Sequence, residues 1–192
     1  MSLRYALLGV LEARPMTGYE LAQFFDGSTA WVWSAPHSNI YPTLRKMQAE
    51  GLLAAETDIK GEKLERTSYS ITDEGERALK EWVVSDPGPP TRDPLLLRMV
   101  FADIVDPEEV TKLLGMLIER QTDLVAQWTD HAQALRRKDT DLLRERLKTK
   151  PPEDHDRIAE IKANVFDLMV AQAETWIEWA TRAVEGFDDG AR

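Results

Sequence analysis

The stretch that decides the fold runs Ala35-Pro36-His37-Ser38-Asn39-Ile40-Tyr41-Pro42-Thr43-Leu44-Arg45-Lys46-Met47-Gln48-Ala49-Glu50-Gly51. Ile40, Leu44 and Met47 fall at i, i+4 and i+7, which is one apolar stripe on a helix. The spacing predicts a helix, third in chain order, from about residue 35 to residue 50. Gly51 closes it, because a residue without Cβ suits a left-handed cap. Pro42 lacks an N–H, a small loss in the first turn and a larger one deeper in the helix. Regular helix is therefore expected to begin near Asn39 or Ile40. With the stripe turned inward, Asn39, Thr43 and Lys46 share the adjacent outward face, and Tyr41, Arg45 and Gln48 flank it.

Upstream, Leu3, Leu7, Leu8 and Leu11 recur at helical spacing and predict a first helix that Pro15-Met16 stops. Thr17 is a good cap for a second helix through Tyr19, Leu21, Ala22, Phe24 and Phe25, ended near Gly27. A loop with Trp31 and Trp33 follows. Downstream of Gly51, residues 52–59 and 66–71 read as two short strands joined by Lys60-Gly61-Glu62-Lys63, the second alternating through Thr67, Tyr69 and Ile71. Thr72 caps a fourth helix through Leu79, Trp82 and Val83. Helix–helix–helix–hairpin–helix within some 80 residues is the order of a winged helix-turn-helix.

The segment Ser85-Asp86-Pro87-Gly88-Pro89-Pro90-Thr91-Arg92-Asp93-Pro94, with four prolines and a glycine, continues neither a helix nor a central strand. It divides the chain into residues 1–85, a proline-rich linker 86–94, and residues 95–192. Beyond it the pattern is helical. A short helix spans about 95–102, then a long one capped at Asp106, with Pro107 at its first position and an apolar stripe through Val110, Leu113, Leu114, Leu117, Leu124, Trp128 and Leu135. A break near 148–152 leads to a last long helix. There Ile158, Ile161, Val165, Leu168 and Trp179 lie on a near-heptad seam through Gln172 and Thr175. Phe166, Met169, Val170, Ala173, Trp176 and Ile177 line a second face. One intramolecular partner covers one face, and a second copy is the simplest cover for the other. The expected fold class is mainly α with a small β-hairpin: an N-terminal winged helix-turn-helix and a C-terminal antiparallel helical dimerisation domain.

Composition narrows the function classes. No cysteine is present, which excludes disulfides, thiol nucleophiles and thiolate metal ligands and fits a cytoplasmic setting. The opening residues carry no signal-peptide pattern, and no apolar run approaches a membrane span. The net charge of −10 argues against a generic polyanion binder. Residues 1–85 hold 9 Lys/Arg against 12 Asp/Glu, whereas residues 86–192 hold 15 against 22, so most of the acidity lies in the second half. A local basic surface on the first half, with weak non-specific affinity, is compatible with that balance.

The third helix has the chemistry for such a surface. Asn pairs bidentately with adenine, Thr meets a thymine methyl, and Lys, Arg and Tyr reach phosphates. Lys60 and Lys63 at the hairpin tip, with Arg66 nearby, are placed as wing cations for backbone or minor groove, diluted by Glu62 and Glu65. From pattern alone, an ordinary polar surface helix and a solvated turn account for these residues equally well.

Specific motifs go further. Leu3-Arg4-Tyr5-Ala6-Leu7-Leu8-Gly9-Val10-Leu11, Pro15-Met16-Thr17-Gly18-Tyr19-Glu20-Leu21, Trp31-Val32-Trp33-Ser34-Ala35, Asn39 to Met47, Glu50-Gly51-Leu52 and Tyr69-Ser70-Ile71-Thr72-Asp73-Glu74-Gly75 occur in order across residues 3–83. This run resembles the PadR family of transcriptional regulators, and the remainder resembles its longer branch with a C-terminal dimerisation region. The resemblance implies a homodimeric repressor that leaves an inverted-repeat operator in double-stranded DNA when a small molecule binds. It implies DNA contacts by Tyr41, Pro42 and the neighbouring Lys46, with Lys60 and Lys63 in the wing. Ser38, Asn39, Thr43, Arg45 and Arg66 complete the candidate DNA-binding set. Ile158, Ile161, Val165, Leu168, Gln172, Trp176 and Trp179 form the candidate dimerisation set. Similar wings are often more basic after the glycine than this one.

Of the six tryptophans, Trp128, Trp176 and Trp179 fall in the dimerisation region, where aromatic faces suit a small aromatic or amphipathic effector. Burial as core and interface anchors is the plainer account of any one of them. No catalytic constellation is recognisable: the three histidines, His37, His131 and His155, have no metal-ligand spacing, and there is neither a glycine-rich phosphate loop nor a nucleophile motif. Neither an enzyme nor a cofactor is expected. The competing reading is a helical protein-interaction adaptor on a winged-helix scaffold without DNA binding.

Overall fold

The computed structural model describes residues 3–26, 36–60, 64–88 and 93–190, and the chain forms two compact units, residues 1–87 and 88–192. The first unit orders α1 (Leu3–Leu11), β1 (Met16–Thr17), α2 (Gly18–Asp26), α3 (His37–Ala49), β2 (Leu53–Lys60), β3 (Leu64–Ile71) and α4 (Asp73–Val83). The hairpin is one strand richer than the sequence pattern suggested. β1 pairs antiparallel with β3, Met16 opposite Tyr69 and Thr17 opposite Ser68, giving a three-stranded sheet of order β1-β3-β2. A strand of two residues offers no alternation to read, so it was invisible in the pattern.

The core of this unit is built from the predicted stripes. Leu7, Leu8 and Leu11 of α1, Leu21 and Phe25 of α2, and Ile40, Leu44 and Met47 of α3 are buried with Met16, Leu52, Leu53 and Tyr69. Each such side chain contributes about 1.5–3 kcal/mol on leaving water. On the outside, Tyr5 stacks on Trp82 with centroids 4.7 Å apart and planes 7° from parallel, tying α1 to α4.

Caps fix where helices start and stop. Thr17 and Glu20 form a reciprocal box: the Glu20 N–H donates to Thr17 Oγ1 at 3.2 Å, and the Thr17 N–H donates to Glu20 Oε2 at 2.7 Å. Gly51, with φ +76°, ends α3 in a Schellman arrangement. Its N–H donates to the Gln48 carbonyl at 3.0 Å and the Leu52 N–H to the Met47 carbonyl at 3.0 Å. Thr72 then binds two elements with one hydroxyl, accepting from the Gly75 N–H at 3.1 Å and donating to the Gly51 carbonyl at 2.7 Å.

The second unit holds α5 (Pro94–Val100), a 3₁₀ turn (Ala102–Ile104), α6 (Pro107–Arg136), α7 (Asp141–Leu147), a 3₁₀ turn (Pro152–Asp154) and α8 (His155–Gly190). Asp93 and Asp106 cap α5 and α6 through Oδ1, accepting from Leu95 N at 2.8 Å and Glu108 N at 2.9 Å. α6 and α8 run antiparallel. Val110 and Leu114 at the start of α6 pack on Ala180 late in α8, while Arg136 at its end binds Glu160 and Asp167 early in α8.

The long helix stops one residue past Leu135, the end of its stripe, and the pattern did not separate the short helix that follows. α6 ends at Arg136, and α7 intervenes before the break near residue 148. The stop is a second Schellman arrangement: Lys138 N–H to the Leu135 carbonyl at 2.8 Å and Asp139 N–H to the Ala134 carbonyl at 2.8 Å. Here the left-handed position, φ +59°, is filled by Lys138. A lysine carries no turn signal, so the sequence does not announce it.

α8 bears two heptad stripes. Ala159, Ala163, Phe166, Ala173 and Ala180 are buried within the unit. Two residues further on, about 200° round the helix, Ile161, Val165 and Leu168 are 56%, 45% and 60% exposed. The two-faced character read from the sequence is present, with the open face aliphatic.

Candidate nucleic-acid interface

α3 begins at His37, not at Asn39 or Ile40, so Pro42 stands in its second turn. Pro36 precedes the helix in extended conformation and its carbonyl accepts from Asn39 N–H at 2.9 Å, which starts the turn two residues early. With no N–H on Pro42, the Ser38 carbonyl lacks its usual donor four residues on. Ile40, Leu44 and Met47 are fully buried, which orients everything else on the helix. Opposite them lie Ser38, Pro42 and Arg45, exposed, with Asn39, Tyr41 and Lys46 exposed beside them.

Thr43 departs from the predicted face. It is half-buried, lines a groove against Leu3, Arg4 and Tyr5 of α1, and its hydroxyl donates back to the Asn39 carbonyl at 2.6 Å. The cause is angular: Thr43 stands about 60° from Ile40 round the helix, nearer the core stripe than the outer surface. The open reading face is therefore centred on Ser38, Pro42 and Arg45 rather than on Thr43.

Tyr41 locates α3 against α2. Its ring covers Gly18, the first residue of α2, closely enough that a Cβ there would lie 2.5 Å from Tyr41 Cε1. The sequence offered Gly18 only within a family motif; its physical role is to admit this ring. Arg4, likewise named only within a family motif, joins α1 to the end of α3 by an ion pair from Nη2 to Glu50 Oε2 of 2.9 Å.

In the wing, β2 runs on to Lys60, and β3 begins at Leu64, two residues before the residue pattern suggested. Lys63 and the side chain of Lys60 lie outside the described residues, as do Trp31 and Trp33. Arg66 is exposed, but it stands directly across from Asp58 in the register. It is also near enough to Glu20 to help hold that carboxyl below its ordinary value, after the larger effects of the hydrogen bonds from the Thr17 backbone and side chain. Arg66 thus shares its surroundings with the Glu20 carboxylate.

In the second unit, Ile161, Val165, Leu168 and Gln172 are exposed along α8, and Ile158 is half-buried. Trp179 leaves the open seam: it packs on Val110, Leu114 and Ala180 and meets Trp176 edge to face, centroids 5.5 Å apart. Position 179 adjoins the buried Ala180, so its large ring turns towards α6. Trp128, on α6, is half-buried, and its Nε1 is buried with no hydrogen-bond partner among the described residues. His131 packs on Phe166, and burial lowers its pKa.

A three-stranded winged helix-turn-helix with an exposed polar face on its third helix, followed by a helical unit, defines a DNA-binding transcriptional regulator. Residues 7–81 match the model of the transcriptional regulator PadR-like family, and residues 91–188 match that of the virulence activator alpha C-terminal domain. The chain belongs to the PadR-like family of transcriptional regulators. It is 36% identical over 125 residues to the negative transcriptional regulator PadR of Bacillus subtilis, covering 64% of this chain and 69% of that one. A probable transcriptional regulator of Mycobacterium tuberculosis is 37% identical over 92 residues, 48% of each chain. Among solved structures, Bacillus subtilis PadR in complex with operator DNA shares the fold, with TM-score 0.71 and 24% identity over 96% of this chain and 98% of that one. The same protein with p-coumaric acid gives TM-score 0.71 and 21% identity over 97% and 98%. No helix among the described residues is long and apolar enough to cross a membrane.

Proposed function

We propose that this chain is a cytoplasmic, homodimeric, ligand-responsive repressor that binds an inverted-repeat operator in double-stranded DNA and catalyses no reaction. The observation that carries the reading is α3: its apolar stripe is fully buried while Ser38, Asn39, Pro42, Arg45 and Lys46 stand exposed on the remaining surface. Residues 1–85 act as the reading head, 86–94 as the linker and 95–192 as the dimerisation and effector region. Asn39 and Arg45 offer hydrogen bonds to base edges, and Tyr41 and Lys46 reach the backbone. Lys60, Lys63 and Arg66 serve the wing, and the exposed Ile161–Val165–Leu168 stripe serves the dimer. The relative solved with p-coumaric acid supports a small aromatic or amphipathic effector, with Trp128, Trp176 and Trp179 as candidate contacts. Effector binding acts by shifting the dimer between two separations of its reading heads.

Selection of bound duplexes from fragmented genomic DNA tests this. The expected product is a pseudo-palindrome whose half-sites lie one or two helical turns apart, as a twofold dimer requires. Recovery of unrelated sequences at random would refute the reading. Asn39→Ala should change base preference at one position of each half-site, and uniform weakening would show that it only positions the helix. Loss of tryptophan fluorescence on titration with p-coumaric acid or related phenolic acids, together with release of the selected duplex, supports the effector assignment; no change in either counts against this ligand class.

A further inference from the structure

Glu50 caps the end of α3 four residues after Lys46, so both side chains lie on one flank of the helix. At that spacing a free carboxylate attracts the ammonium and cancels its charge. Glu50 is engaged from elsewhere, however: Arg4 Nη2 of α1 is 2.9 Å from Glu50 Oε2. Arg4, Lys46 and Glu50 line the same groove of about 320 Å³ between α1 and α3. Lys46 is exposed and makes no ion pair among the described residues.

We propose that Arg4 is a positioning residue for DNA binding: by holding Glu50 it leaves the Lys46 charge free for a phosphate. The inference rests on α3 being the reading helix. Both partners of the pair are 34% exposed, so its contribution to stability is small and its effect is on the charge of the groove. Arg4, Glu50 and Lys46 together carry one net positive charge; without Arg4 they carry none, beside a polyanion. A carboxylate at a helix C-terminus also opposes the helix dipole, and the guanidinium offsets that. Arg4 Nε is buried and has no hydrogen-bond partner among the described residues, so the side chain is committed to the groove rather than extended towards a ligand.

The test uses the full chain and the duplex recovered by selection, titrated over a range of salt concentrations. Arg4→Met should weaken binding by about three- to tenfold and flatten the salt dependence towards that of Lys46→Ala, which lowers the slope by about one. Glu50→Gln alone should cause no loss. The double variant Arg4→Met/Glu50→Gln should return to within about twofold of the parent, since removing both charges restores the sum. Arg4→Lys, which keeps the charge, should bind like the parent, and unchanged thermal midpoints exclude misfolding as the cause. A double variant as weak as Arg4→Met overturns the proposal, because Arg4 would then touch DNA itself. Arg4→Met binding like the parent while Lys46→Ala flattens the slope overturns it alone. An unchanged slope in Lys46→Ala overturns the assignment of α3 beneath it, and this inference with it.

Discussion

Tyr41 roofs Gly18: a methyl group on Gly18 would stand 2.5 Å from the ring, so the second and third helices meet at a point where only a hydrogen fits. Gly75 is equally confined, but by different atoms, its added Cβ falling 2.3 Å from the Leu52 carbonyl oxygen and 2.8 Å from Ile71 Cγ1. The distinction matters because an exposed ring can swing aside and a backbone carbonyl cannot.

Gly18→Ala should therefore cost less than about 1 kcal/mol of stability while displacing Tyr41 and weakening DNA binding. Gly75→Ala should cost about 3 kcal/mol, because the strand-to-helix junction itself must move. Urea denaturation of both variants checks the order; equal losses would show that the ring is held as firmly as the backbone.

Acid should loosen the helix-turn-helix through Glu20. The Thr17 backbone and side-chain hydrogen bonds hold its carboxyl below the ordinary value of 4.5, so the folded state binds this proton less readily than the unfolded chain does. Such a group contributes stability that is fully present above the unfolded pKa and lost as pH falls through the folded one. Glu20→Gln should be less stable than the parent at pH 7, and the gap should close as pH falls below 4.5 and through the lowered folded value. Thermal melts across that window decide it; a gap that persists at low pH would mean the carboxylate charge is irrelevant to the cap.

Lys138→Gly should stabilise the chain. Lysine in the left-handed region costs about 1 kcal/mol relative to glycine. The Lys138–Asp156 ion pair that would be lost is at the surface, with Asp156 91% exposed, and contributes little. A gain of about 0.5–1 kcal/mol in urea denaturation is expected, and a loss would assign the ion pair more weight than its exposure suggests.

Ile161→Glu with Leu168→Glu should yield a folded monomer. Both side chains are exposed within the subunit, so charging them leaves its own core intact while placing carboxylates in the seam. Sedimentation gives the mass and circular dichroism the helix content. A dimer of unchanged mass would move the interface off this stripe.

Long periodic signals were readable in the chain and short or three-dimensional ones were not. Ile40, Leu44 and Met47 announced the inner face of α3, and Thr17, Gly51, Thr72 and Asp106 announced helix ends, because these features act over a few residues. β1 is too brief to show a period, and Lys138 is an unmarked residue in a glycine's position. Thr43 and Trp179 lean away from the faces their spacing suggested for a common reason: each borders its helix's buried stripe, where sequence spacing does not say which way a side chain leans. Arg4 and Glu50 are far apart in sequence, so only folding shows that they meet.

The inner stripe of α8 is mostly alanine, and small side chains permit a close approach of the helix packed against them. That makes Ala159, Ala163, Ala173 and Ala180 a spacer of minimum thickness. Enlarging one of them would thicken the hairpin and move its outer aliphatic edge away from the α6 axis. Evolution thus has a gauge, set in methyl groups, for the thickness of this hairpin, without altering any side chain on α3.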